Sequence, residues 1–270
     1  MPEHSQSHGT TSHASPPAVS AAAHAPSGPP SPGSSSDAAR HAFPTQDLAR
    51  LKEEFLRPRL FMQLQVFTGA SDLDAVTRAV EASGLEAVVY RDFLDPRGVG
   101  VLLMAEDPQL FVAQGRVLFN APAFASLVHR TQLAMTGCTY STGRDPTPDD
   151  WMVQRPRRNA RNPAWDWTVW YPLRRKPEFA TLPREEQGKL LFEHAMMAKP
   201  YGDIETASDI RLSCYGIDTN DNEFVIGLVG PQLYPLSHLI AEMRKSQQTA
   251  KYIQSLGPFF VGRVHWRKPV

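Results

Sequence analysis

The order of apolar periodicities constrains this chain more than any single motif. Residues 60–67, LFMQLQVF, put Met62, Leu64 and Val66 on one face and predict a strand. Residues 71–83 carry Leu73, Val76 and Val80 at helical spacing, with Ser71 placed to cap and Gly84 to stop the helix. Two strands follow over 87–91 and 98–104, joined by a turn at Asp95-Pro96-Arg97-Gly98. A helix begins at Asp107-Pro108 and runs through Phe111 and Val112, and a strand covers 132–140. The order strand, helix, strand, strand, helix, strand then repeats. Its second copy is a strand over 167–173, a helix over 183–199 and strands over 208–215 and 224–229. A long amphipathic helix over 236–253 and a closing strand over 259–266 complete it. One supersecondary order used twice predicts an α+β fold of two ferredoxin-like halves packed sheet against sheet. The halves span 45–141 and 165–270, with a helix over 46–55 leading into the first.

Two segments fall outside this pattern. Residues 1–44 are Ser, Ala, Pro, His and Gly with almost no large apolar side chain. Such a tail cannot bury enough surface to offset its ordering entropy, so disorder is expected. His4, His8, His13, His24 and His41 lie in it at irregular spacing, which suits solvation better than metal binding. Only His129, His194, His238 and His265 then remain as candidates in the folded part. Residues 142–164 form a turn-rich, basic connector in which no regular structure is expected. Four arginines lie between Gln154 and Asn162, either as a solvated loop or as a lid over an acidic ligand.

Charge and cysteine use exclude several classes of function. Lysine plus arginine number 28 and aspartate plus glutamate 28, so nothing favours bulk binding to nucleic acid or an anionic membrane. Cys138 and Cys214 form no CxxC pattern, so a zinc site or redox pair is not expected. There is no apolar run of about 20 residues and no secretory signal pattern, which makes the cytoplasm the default compartment.

The chemistry concentrates in residues 165–201, WDWTVWYPLRRKPEFATLPREEQGKLLFEHAMMAKPY. His194 shares a helical face with Leu190, Leu191 and Met197, so its ring points toward the core. A buried histidine is more often a satisfied core residue than a ligand. Met196, Met197, Tyr201 and the Trp-rich strand supply the walls that a large flat apolar ligand needs.

The stretch from Tyr171 to Tyr201 resembles the chlorite dismutase family. The shared features are Tyr-Pro-Leu, a basic turn, a Leu-Pro-x-Glu-Glu helix start and a His followed seven residues on by Tyr. GID at 216–218, DNEF at 221–224, EMRKSQQTAKY at 242–252 and GPFFVG at 257–262 extend the resemblance over residues 165–265. It implies a dimeric α+β barrel within one chain, usually in a ring of five copies, with heme b or coproheme in the C-terminal half. His194 would be the proximal iron ligand. Glu242, on the facing helix, would orient its ring. In the coproheme decarboxylases of this family the tyrosine of the Tyr-Pro motif is oxidised when hydrogen peroxide acts on bound coproheme. Tyr171 occupies that place, and Arg175, Arg244 and Thr249 match propionate contacts. Chlorite dismutases carry a distal arginine on the strand after the histidine helix, where decarboxylases of the simplest type have a glutamine. Asp209 or Arg211 takes that position here. The paired tryptophans of chlorite dismutases are replaced by Glu178-Phe179-Ala180. The resemblance thus implies a heme-dependent oxidoreductase with Tyr171 and Arg211 as candidate catalytic residues. Its reaction would be coproheme decarboxylation or a peroxidase reaction, chlorite turnover being the alternative. A heme carrier or sensor without turnover is the third possibility.

Overall fold

The computed structural model describes residues 45–141, 147 and 149–269. The chain divides into residues 1–49 and 50–270, and only the opening turn of the first helix belongs to the former. The expected tail, with its five histidines, lies outside the described residues, as do 142–146 and 148 of the connector.

The elements run α1 (Thr45–Leu56), β1 (Phe61–Thr68), α2 (Leu73–Ala82), β2 (Glu86–Asp92) and β3 (Val99–Ala105). A π-helical turn over Phe111–Gly115 continues into α3 (Arg116–Phe119), followed by β4 (Val128–His129) and β5 (Met135–Thr139). A second π-helical turn, Asp150–Gln154, continues into α4 (Arg155–Arg161). The C-terminal half is β6 (Trp167–Arg175), α5 (Glu178–Thr181), α6 (Arg184–Asp203), β7 (Ser208–Ser213) and β8 (Phe224–Gly230). It ends with α7 (Leu233–Met243), α8 (Gln247–Tyr252), β9 (Ile253–Leu256) and β10 (Phe260–Arg267).

Each half has the ferredoxin-like strand order. In the first, β5, β1, β3 and β2 are neighbours in that order, and in the second β10, β6, β8 and β7. The halves do not stack sheet on sheet as expected. They join edge to edge, β5 to β7 and β10 to β2, so the hydrogen-bonded circuit of eight strands closes on itself. Closure leaves none of these strands with an unpaired edge.

Strand alternation sorts the side chains into three layers. Met62, Leu64, Tyr90, Leu102, Trp170 and Phe260 fill the inside of the circuit. Phe67, Val76, Val80, Val101, Leu103 and Phe124 form the layer under α2 and the segment after β3. Val169, Tyr171, Leu228, Leu236, Leu239 and Met243 form the layer under α7. The phase of β6 follows from Trp170, which is wholly buried and lies opposite Gly227 in the ladder. A Cβ at Gly227 would sit 2.5 Å from the indole, so only glycine admits the ring inside. With Trp170 inside, Tyr171 must point to the helix-covered side.

Three local expectations are corrected. Asp72, not Ser71, caps α2, its Oδ1 accepting the N–H of Ala75 at 2.9 Å. Part of the connector is helical, and its arginines are paired, although Arg158 stays exposed. Arg157 and Arg161 both hold Glu86, at 3.0 and 3.1 Å, and Arg158 holds Asp150 at 2.7 Å. The long helix expected over 236–253 breaks between Met243 and Gln247, where Ser246 adopts extended backbone and caps α8. Among the described residues no helix is long and apolar enough to cross a membrane.

Candidate functional site

The break after α7 builds the site. Helix α6 packs on α7 and α8, and α7 packs on β6 and β8. His194 therefore faces the start of α8, and its Nδ1 lies 3.2 Å from Ser246 Oγ. That oxygen also lies 2.9 Å from the carbonyl of Met243, which can accept its proton, and takes the N–H of Thr249 at 3.3 Å. With the hydroxyl proton given to Met243, Nδ1 must be the donor to Ser246. The ring's Nε2 then carries the lone pair, and it has no partner among the described residues. Ser246 does what was expected of Glu242, whose carboxylate instead pairs with Lys245 at 2.5 Å. Burial lowers the His194 pKa to about 4 against the opposing charges of Asp209 and Glu193, so the imidazole is neutral at pH 7.

Two predictions follow from this imidazole. Ser246→Ala strips Nδ1 of its partner and α8 of its cap. The loss should be about 1–3 kcal/mol, read by urea denaturation. His194 also ties stability to pH. The unfolded chain takes up a proton near the ordinary histidine pKa, while the folded chain resists until about 4. Stability is full above about 6.5 and falls as pH drops through that window, by up to about 3 kcal/mol. Denaturation midpoints at pH 7 and pH 4 should differ more for the parent than for His194→Gln.

Across the layer stands the outer face of β6, β8 and β7. Tyr171 pairs with Ile226, and Ile226 with Arg211, so the three share one row. Arg211 is two ladder steps, roughly 10 Å, from Tyr171. Val169, Leu228 and Asp209 form the adjacent row. The Tyr171 ring packs on Phe259 at 5.0 Å, and among the described residues its hydroxyl makes no hydrogen bond, though it is not one of the wholly buried unpartnered atoms. Burial raises its pKa, Asp209 adds to the rise and Arg244 opposes it. Asp209 thus acts on both Tyr171 and His194, and it shares the sheet face of Tyr171. Leu190 and Met197 turn inward with His194, whereas Leu191 is 41% exposed and leaves the face expected of it.

The charged candidates separate. Arg244 is exposed and has no carboxylate partner among the described residues. Thr249 Oγ1 lies 3.1 Å from Ser246 Oγ, beside the histidine. Arg175 is held by Glu223 at 2.9 Å, stacks over Phe179 and Phe224, and reaches Tyr215 Oη at 3.4 Å. Burial works to raise the Glu223 pKa, but hydrogen bonds from Arg175 and Tyr215 bring it below the usual carboxylate range. Arg211 reaches one oxygen of Asp209 at 3.4 Å, and Arg155 from α4 takes the other at 3.2 Å. Arg155 also stacks on Trp151 at 3.9 Å. The connector thus forms part of this wall, which its sequence did not disclose. The Ser-x-x-Thr spacing at 246–249 was the signal that could have located Ser246.

Two clefts lie away from this layer. One of about 780 Å³ is bounded by Glu53, Arg57, Asp149 and Asp150, and one of about 410 Å³ by Gln132, Arg174, Asn222 and Gln254.

Comparison with known proteins gives the family and the fold. The family model described as chlorite dismutase matches residues 123–265, more than half of the chain. The chain belongs to the chlorite dismutase family. A curated relative is the coproheme decarboxylase of Mycolicibacterium smegmatis, 29% identical over 92 residues. That match covers 34% of this chain and 37% of the relative, so it spans little more than a third of the relative's length. Among solved structures, a heme-binding protein from Thermus thermophilus has a TM-score of 0.59 at 18% identity, covering 77% of this chain and 92% of its own. The chlorite dismutase of Candidatus Nitrospira defluvii in complex with imidazole has a TM-score of 0.61 at 14% identity, covering 80% and 95%. At these identities both show the shared fold of the family.

Proposed function

We propose that the layer between the β6–β8–β7 face and helices α6 to α8 holds an iron porphyrin, with His194 Nε2 as its axial ligand. The chain would then act as a heme-dependent oxidoreductase, most specifically in peroxide-dependent decarboxylation of coproheme. One observation carries this reading. His194 Nε2 and Tyr171 Oη make no hydrogen bond among the described residues, and neither is sealed in like the wholly buried unpartnered atoms, so both keep surface that a ligand can reach. A ligand that meets both atoms would give each the partner it lacks within the chain. The donor set fits the porphyrin. Among the described residues no three His, Cys, Asp or Glu side chains converge on a metal position. A single neutral imidazole suits an iron that brings four nitrogens with it.

The bound group would supply the one-electron chemistry that peroxide drives. The chain supplies position and charge. Ser246 fixes the ring of His194, so Nε2 keeps one direction. Tyr171 presents a neutral phenol that can lose an electron and a proton. Arg244 offers its guanidinium to a propionate, with Thr249 beside it. Arg175 contributes to the same anchoring only by sharing its contact with Glu223. Asp209, held by Arg155 and Arg211, is the carboxylate on the opposite wall.

The test uses the full chain reconstituted with coproheme. Hydrogen peroxide is titrated in, and the products are separated by chromatography. Conversion to heme b is expected. Oxygen release from chlorite, lost in Arg211→Ala, would move the assignment to chlorite turnover. A bound porphyrin with neither reaction would make the chain a carrier, and no Soret band with any porphyrin would remove the reading altogether.

A further inference from the structure

We propose that Tyr201 and His238 form a surface site of one-electron oxidation. It would take electrons from small phenolic or hydroquinone donors in solution and pass them inward along α6. The proposal rests on the porphyrin reading above and extends it to a second substrate class.

Tyr201 follows His194 by seven residues, so the two side chains leave α6 on nearly the same face, about 10.5 Å apart along the axis. Met197 lies between them, and Tyr201 packs with it against the layer that contains Tyr171. The Tyr201 hydroxyl lies 2.6 Å from His238 Nδ1 on α7. His238 also meets Tyr234, ring centroids 5.8 Å apart, and Tyr234 is 75% exposed. Three rings thus run from the apolar layer to open solvent. The inner one is fixed in place, because the Tyr201 carbonyl takes the N–H groups of Thr206 and Ala207 at 2.9 and 3.3 Å.

The chemistry follows from the short contact. A phenol that loses an electron becomes a strong acid and must shed its proton at once. In the Nε2–H tautomer, His238 Nδ1 accepts that proton along the existing hydrogen bond, leaving a neutral tyrosyl radical beside an imidazolium. The bound porphyrin would be the acceptor for that electron. A donor phenol at the surface then returns an electron and releases its own proton to solvent, while His238 hands the proton back to Tyr201. Two such cycles consume one hydrogen peroxide and two donor molecules, and yield two waters and two donor radicals. A simple tie between helices would have the same geometry but none of this reactivity.

Two measurements separate the possibilities. The first uses full-length chain without cofactor, oxidised by photogenerated ruthenium(III) tris-bipyridyl. A fast, solvent-deuterium-sensitive phase of ruthenium reduction is expected. It should be lost in both Tyr201→Phe and His238→Gln. A fast phase that is absent from the parent, or that survives both substitutions, overturns the proposal. The second uses porphyrin-loaded protein with peroxide and guaiacol. His238→Gln, outside the walls named for the porphyrin, should slow guaiacol oxidation by about tenfold or more, with the Soret band unchanged. An unchanged guaiacol rate overturns the proposal. Failure to load any porphyrin strikes the parent reading alone, and the ruthenium measurement then decides this one.

Discussion

His194→Ala should abolish porphyrin binding, weakening it on the order of 100-fold or more, with the Soret band lost or shifted after reconstitution. The expectation rests on geometry. His194 is the imidazole facing the Tyr171 layer, its Nδ1 is tied to Ser246, and its Nε2 has no other use among the described residues. The structural alternative is a core histidine satisfied by one hydrogen bond. It predicts a loss of stability and no change in the spectrum of added porphyrin. Free imidazole distinguishes the two directly. If the ring's only role is to fill space, imidazole added to His194→Ala restores stability alone. If Nε2 is the ligand, imidazole entering the vacated space restores the Soret band as well.

The fold was legible wherever one face of an element is buried. β1 shows its alternation because Met62, Leu64 and Val66 point into the closed circuit and Gln63 and Gln65 do not. The joining of the halves was not legible, because edge pairing uses backbone groups that every sequence carries. Helix periodicity also misled where a cap interrupts it. Residues 236–253 keep an amphipathic spacing through the break at Ser246, and that break is what brings a hydroxyl to His194. The site shows the same division. His194 and Tyr171 could be found from motif and phase, since each sits on a regular element. Asp209's clamp could not, because Arg155 is 54 residues away in sequence and its connector looks like solvated loop. Charge runs disclose a face only when their partners are known. The four connector arginines were ambiguous until Glu86, Asp150 and Asp209 were placed against them.

Tyr171→Phe should reduce peroxide-dependent conversion of coproheme by about 100-fold or more while leaving porphyrin binding unchanged. Phenylalanine preserves the ring that packs on Phe259, so the layer keeps its shape. It removes only the hydroxyl, which is the group with no partner among the described residues and whose pKa burial pushes upward. Stability adds a second readout that moves the other way. A tyrosine kept for a buried hydrogen bond would lose about 1 kcal/mol on this substitution. Here the hydroxyl makes no hydrogen bond among the described residues, so its removal costs none and the denaturation midpoint of the cofactor-free chain should stay level or rise. A variant that is equally or more stable, binds the porphyrin and cannot convert it would mark Tyr171 as retained for chemistry. Unchanged conversion would remove Tyr171 from the reaction, and with it the decarboxylase reading, while leaving His194 as a ligand.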